Sequence, residues 1–235
     1  MRRLDLRRAV DEARALFLRD RDLLLRVAGV FLFLPSFAAL LFLPPAVAGT
    51  GDTANQVLLK WFSDNAHWLA AEQAVMLLGG ATIYRLYLAP DGGTPGEAIG
   101  MAAARYLPFL LATLLATLSV FAGLTLLILP GAYLLGRTAL AGAAVVAEER
   151  GALAAMERSF QATRGHGWVL FGVQGLILVA GQFLVVLLGA LDPGDGGILA
   201  AVVDAAAAAV ATAATLATLL FKIAVWRQLG ASSGT

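Results

Sequence analysis

Four ionisable side chains interrupt the apolar stretches of this chain: Glu72, Arg137, Asp204 and Lys222. Lys222 stands near the end of its stretch, within snorkelling reach of an interface. The other three each lie about five or six residues into an apolar block, roughly 7–9 Å of helix from its start. Two acids and a base at one depth could handle an ion, a proton or a charged substrate, because intramembrane charges mark such pathways. The same trio could equally be a structural ion-pair cluster, since one guanidinium has donors enough for two carboxylates. Arg137 alone could instead snorkel outward beside a short helix. No carboxylate pair, nucleophile with a base, or phosphate-cradling loop accompanies them, and the glycines of "DPGDGG" form a turn. With no cysteine, thiol catalysis and disulfides are excluded. The two histidines, His67 and His166, fall on opposite expected sides of a membrane, which argues against a shared metal. The chain reads as non-enzymatic, with neither cofactor nor metal.

The elements that would position these charges are helices. Of 235 residues, 60% are hydrophobic and 14% charged, against roughly 45–50% apolar in soluble domains. The apolar residues come in blocks near the ~20 residues that cross a bilayer. Six blocks run over residues 23–43, 68–88, 107–129, 132–147, 168–191 and 198–226, with "LPG" at 129–131 read as a tight turn between the third and fourth. The expected fold is all-α and integral to the membrane, a single domain over 1–235 with six transmembrane helices.

Charge sets the orientation. Eight arginines fall in the first 26 residues, among them Arg2, Arg3, Arg7, Arg8 and Arg14, against five acids. Arg85, Arg105, Arg150, Arg158, Arg164 and Arg227 follow the same side, and the opposite loops hold only Lys60. The positive-inside rule then places both termini in the cytoplasm. The charged N-terminal segment is too long for a signal peptide and is read as retained.

Three segments have helical amphipathic spacing: Leu6, Val10, Ala13 and Phe17; Ile99, Ala102 and Tyr106; and Leu153, Met156 and Phe160. The second opens with "TPGE", a capping-box pattern with proline in the first turn. Each precedes two apolar blocks, dividing the chain into three amphipathic-helix-plus-hairpin units, about 4–90, 94–148 and 151–227. Such helices lie in the membrane interface, where the basic residues favour anionic lipid. The partners expected are therefore membrane lipids, anionic ones first, and not nucleic acid.

The stretch "LPGAYLLGRTALAGAAVVAEERGALAAMERSFQATRGHGWVLFG" carries a family pattern. A Pro-Gly pair (Pro130, Gly131) leads to an aromatic residue and then Arg137. An acid (Glu148 or Glu149), the pair Arg158-Ser159, Gly165 and Trp168 follow. This resembles the YciC-like inner-membrane proteins and the related membrane domain of glycerophosphoryl diester phosphodiesterases. The resemblance implies an all-helical protein of a bacterial-type inner membrane. It brings no catalysis, because in the phosphodiesterases a separate soluble barrel does the chemistry. The functional expectation is a role in membrane organisation or lipid-linked processes. The rival expectation is a small transporter or channel-like protein using the polar region near Arg137.

Overall fold

A computed structural model describes residues 4–44, 53–89, 94–191 and 197–230, which leaves Arg2 and Arg3 outside it. Every regular element among the described residues is helical. Helix α1 (Leu6–Arg19) begins where the Asp5 carboxylate accepts the Arg8 N–H at 3.1 Å. Helices α2 (Arg21–Ala28) and α3 (Leu34–Phe42) are joined through a π-helical turn, Gly29–Phe33. Helix α4 (Ala54–Leu88) follows, then α5 (Pro95–Ala104) and α6 (Tyr106–Leu126). The chain returns through α7 (Ile128–Arg137) and α8 (Ala141–Ala147), crosses α9 (Ala152–Ala162), and ends on α10 (Gly167–Gly189) and α11 (Ile198–Leu229). The "TPGE" capping box forms: Thr94 N–H donates to Glu97 at 2.8 Å and Thr94 Oγ1 accepts the Glu97 N–H at 3.4 Å.

Five stretches are long and apolar enough to cross a membrane: Arg21–Phe42, Tyr106–Leu126, Ile128–Ala147, Gly167–Gly189 and Ile198–Leu229. The sequence reading counted six. The difference is α4, a 35-residue helix whose apolar second half is diluted by Glu72, Gln73 and Arg85.

The turn assigned to "LPG" lies elsewhere. The chain reverses at a single extended residue, Leu127 (φ −163°, ψ 147°), and α7 starts at Ile128. Pro130 is the third residue of α7, where an amide proton would have no helical acceptor, so proline is tolerated. Gly131 lets α7 close on α6: a Cβ on Gly123 would lie 2.8 Å from the Gly131 Cα, and one on Gly131 would run into Leu124. The fourth apolar stretch thus starts four residues earlier than the 132–147 block. Phe109 of α6 packs on Gly142 of α8, so the pair stays antiparallel along its length.

Arginines converge on one end of the bundle, called the basic end below. Arg227 of α11 donates to Glu12 of α1 at 3.3 Å and to the Tyr87 carbonyl of α4 at 2.8 Å. Lys60 lies on the same helix as Tyr87, about 40 Å away along its axis. Most of the dry core sits toward the basic end, around Ile83, Leu140, Val145, Ile223 and Val225. Toward the far end, Leu127, Ile128, Phe183 and Ile198 turn outward.

Candidate functional site

At the basic end two adjacent acids organise the arginines. Glu148 accepts from Arg158 Nε at 2.8 Å and also pairs with Arg150. Glu149, held at a positive φ of 52°, accepts from Arg105 at 2.7 Å and from Arg85 at 3.3 Å. Arg158 is 6% exposed, lies over the Trp226 ring at 5.3 Å, and donates from Nη2 to the Gly230 carbonyl at 2.8 Å. The loop after α8 is thereby tied to α4, α6, α9 and the end of α11. At the α1–α2 junction, Asp20 accepts from Arg19 at 2.9 Å and from the Tyr87 hydroxyl at 3.1 Å. The Arg19 hydrogen bond, with Tyr87 in support, holds the Asp20 carboxyl below the usual carboxylate range.

The positions of the family-like pattern take specific places. The helix breaks over 138–140, and the hydroxyl of Ser159 fills the break. It accepts the Leu140 N–H at 3.1 Å and donates to the Arg137 carbonyl at 2.7 Å. The Thr163 hydroxyl, with one proton to give, lies 2.7 Å from the Ser159 carbonyl of its own helix and 3.1 Å from that same Arg137 carbonyl. Trp168 packs beside Tyr133 with ring centroids 5.8 Å apart.

The expected trio of Glu72, Arg137 and Asp204 is not brought together. Arg137 is 8% exposed, and its guanidinium lies 5.1 Å from the Phe160 ring centroid and 5.7 Å from that of Tyr133. Its Nε and Nη1 are buried without a hydrogen-bond partner. Gly136 abuts the carbonyl of Gly167, the first residue of α10, which places Arg137 beside α9 toward the basic end. Asp204 is near the opposite end of α11, about 38 Å of helix from Gly230. Glu72 lies about 20 Å along α4 from Arg85. The equal depths assumed a fourth helix beginning at Ala132 and pointing its arginine at acids. The real helix begins at Ile128, breaks after Arg137, and offers it aromatic faces.

Among the described residues the helices leave two large, half-open cavities. The first, of about 530 Å³, lies among α4, α6, α7, α8, α10 and α11. Its wall is mainly apolar, with threonines, Gln73, Gln174, Tyr84 and Lys222 among its polar members. The second, of about 600 Å³, is almost wholly apolar and runs between α1, α2, α10 and α11. Along α11 it extends from Ala209 to Phe221, and α1 contributes Val10, Phe17 and Arg14. Neither cavity was legible in the sequence, because both are products of helix packing. Among the described residues no three His, Asp or Glu side chains gather as a metal site would require. His166 accepts the Leu4 N–H at 3.1 Å, and His67 packs on Trp68.

No protein-family model, curated protein or solved structure matches the chain.

Proposed function

We propose that this chain is a non-enzymatic, six-span protein of a bacterial-type inner membrane, acting in membrane organisation or a lipid-linked process by holding anionic phospholipid. The sixth crossing is the apolar second half of α4. Its Gly79 sits under Phe31 of the π-helical turn, inside the bundle rather than beside it. The three successions of a short helix and two long elements support a threefold unit plan. Convergence of the arginines on one end supports cytoplasmic termini. The resemblance to YciC-like proteins fits a membrane module without chemistry of its own.

The observation that carries this reading is the groove under α1. From Ala209 to Phe221 it spans about 18 Å of helix, slightly more than one leaflet of a ~30 Å hydrocarbon core. α1 lies across the basic end of α11, held there by the Glu12–Arg227 pair, with Leu16 buried and Arg14 exposed. An acyl chain fits the apolar wall while Arg14 meets a headgroup phosphate. The test is lipid retention by native mass spectrometry from mixed anionic and zwitterionic nanodiscs. The parent should retain anionic lipid preferentially, Arg14→Gln should lose the preference, and Ala213→Phe, which fills the groove, should lose the lipid. No anionic preference in the parent, or full retention by Ala213→Phe, overturns the proposal.

A further inference from the structure

We propose that the central cavity is a second, separate ligand site, taking a single-chain amphiphile whose monoanionic head pairs with the Lys222 ammonium. This goes beyond the phospholipid reading, since the cavity lies on another side of α11 and shares no lining residue with the α1 groove.

The first argument is charge. Lys222 lines the cavity, and no acidic residue lines it among the described residues. Lys222 has no ion pair there either, in contrast to Arg85, Arg158 and Arg227, each of which has a carboxylate. A cation inside the hydrocarbon layer calls for a counter-charge or a route to water. The second argument is direction. A helical side chain leans toward its helix N-terminus, so Lys222 leans back toward Thr215 and Leu219, away from the nearer, basic end of α11. That lean works against the snorkelling its position in the sequence suggested, and the Lys222 side chain lines the cavity. Gly181 of α10 meets Ala214 of α11, and seven residues further toward the basic end on each helix lie Gln174 and Phe221. Gln174 therefore stands level with Lys222. Its amide gives one proton to the Leu170 carbonyl at 3.1 Å and keeps a second for an anion.

The third argument is shape. A volume of about 530 Å³ falls in the ~300–1,000 Å³ range of small-molecule sites. Along α6 the cavity runs from Phe109 to Leu124, about 22 Å, which exceeds the ~15 Å depth of one leaflet. Lys222 is the one charged residue of the wall among the described residues, and the rest is mostly Leu, Ala, Met and Phe with uncharged Thr, Gln and Tyr side chains. One charge at one place and an apolar remainder describe one anionic head on one alkyl chain. A small hydrophilic anion would leave most of that wall without a partner.

The experiment uses the full chain in nanodiscs of zwitterionic lipid and four probes: a photoactivatable hexadecanoate, the matching hexadecyl phosphate, the matching hexadecanol and sodium chloride. Hexadecanoate or hexadecyl phosphate should crosslink to α6 and α11 residues of the cavity at least tenfold more efficiently than hexadecanol. The ratio of the two anions identifies the head as carboxylate or phosphate. Lys222→Met should abolish the preference for an anion, Lys222→Arg should keep it, and Ala116→Phe should suppress crosslinking by narrowing the cavity. Both Lys222→Met and Ala116→Phe should still retain phospholipid under α1, so failure of this site is distinguishable from failure of the other. Equal labelling by hexadecanol, crosslinks outside the cavity, or displacement by chloride at a matched ionic strength overturns the proposal. If Lys222→Met does not fold, the anion preference of the parent and its loss in Ala116→Phe decide the matter.

Discussion

Replacing Ser159 with alanine should destabilise the bundle far more than the loss of one hydroxyl suggests. The Ser159 side chain is fully buried and is the hydrogen-bond acceptor for the Leu140 N–H, which the broken helix leaves without a carbonyl four residues back. Stranding a buried donor costs about 1–3 kcal/mol, whereas a typical satisfied hydrogen bond contributes only about 1 kcal/mol net. The Arg137 carbonyl suffers less, because the Thr163 hydroxyl, 3.1 Å away, can turn its single proton to it from the Ser159 carbonyl. The expected cost of Ser159→Ala is therefore about 2–3 kcal/mol. Thr163→Val, which leaves the Ser159 bond to that carbonyl in place, should cost about 1 kcal/mol. The double variant strands the carbonyl as well, so its cost should exceed the sum of the singles by about 1 kcal/mol. Equilibrium unfolding in mixed micelles gives the energies, and hydrogen exchange at the Leu140 amide gives the location. Ser159→Ala within about 0.5 kcal/mol of the parent, the ordinary range of an innocuous substitution, with Leu140 still protected, would refute the account of the break.

Three further outcomes follow from the basic end. Arg158→Met removes the buried donor to Glu148 and to the Gly230 carbonyl while Arg150 stays on Glu148, and should cost about 2–3 kcal/mol. Arg137→Met gives up ring contacts of about 2 kcal/mol at most, so micelle unfolding that ranks it the worse of the two contradicts the assignment of partners. Asp20 has a folded-state pKa below its ordinary 3.8, so its contribution is complete above that value and lost as pH falls through the lower one. Exchange protection at the α1–α2 junction should drop below about pH 4 in the parent, and Asp20→Asn should flatten the profile, by less than about 1 kcal/mol for so exposed a pair. For orientation, an impermeant thiol reagent on intact spheroplasts should label Ser63→Cys but not Glu157→Cys, and the reverse pattern would invert the topology.

The helices were legible because their signals are local. Thr94-Pro95-Gly96-Glu97 caps α5 through side chains within one turn, and the apolar blocks outline the five stretches long and apolar enough to cross a membrane without any knowledge of packing. Local signals also misled. A Pro-Gly pair reads as a turn in the sequence, yet Pro130 falls in the one turn of a helix that has no use for its amide proton. Gly131 is there for contact with α6, which no short-range pattern reveals.

The site was harder to read because depth along a helix does not determine what a side chain meets. Arg137 was matched to acids by counting residues, but a break at its C-terminal side lets α9 approach, and Phe160 arrives from a part of the chain with no periodic relation to Arg137. The sequence did hold a better clue to the carboxylates. Glu148 and Glu149 are a pair of acids closing an apolar block, while Arg85 and Arg105 stand at the ends of others and Arg158 lies in the next amphipathic segment, so two acids had several cations to serve at one boundary. Counting cations against acids at each boundary, rather than depths within blocks, assigns those arginines correctly. It also singles out Lys222, which lies a few turns inside that boundary, as the cation for which the cavity wall supplies no acid.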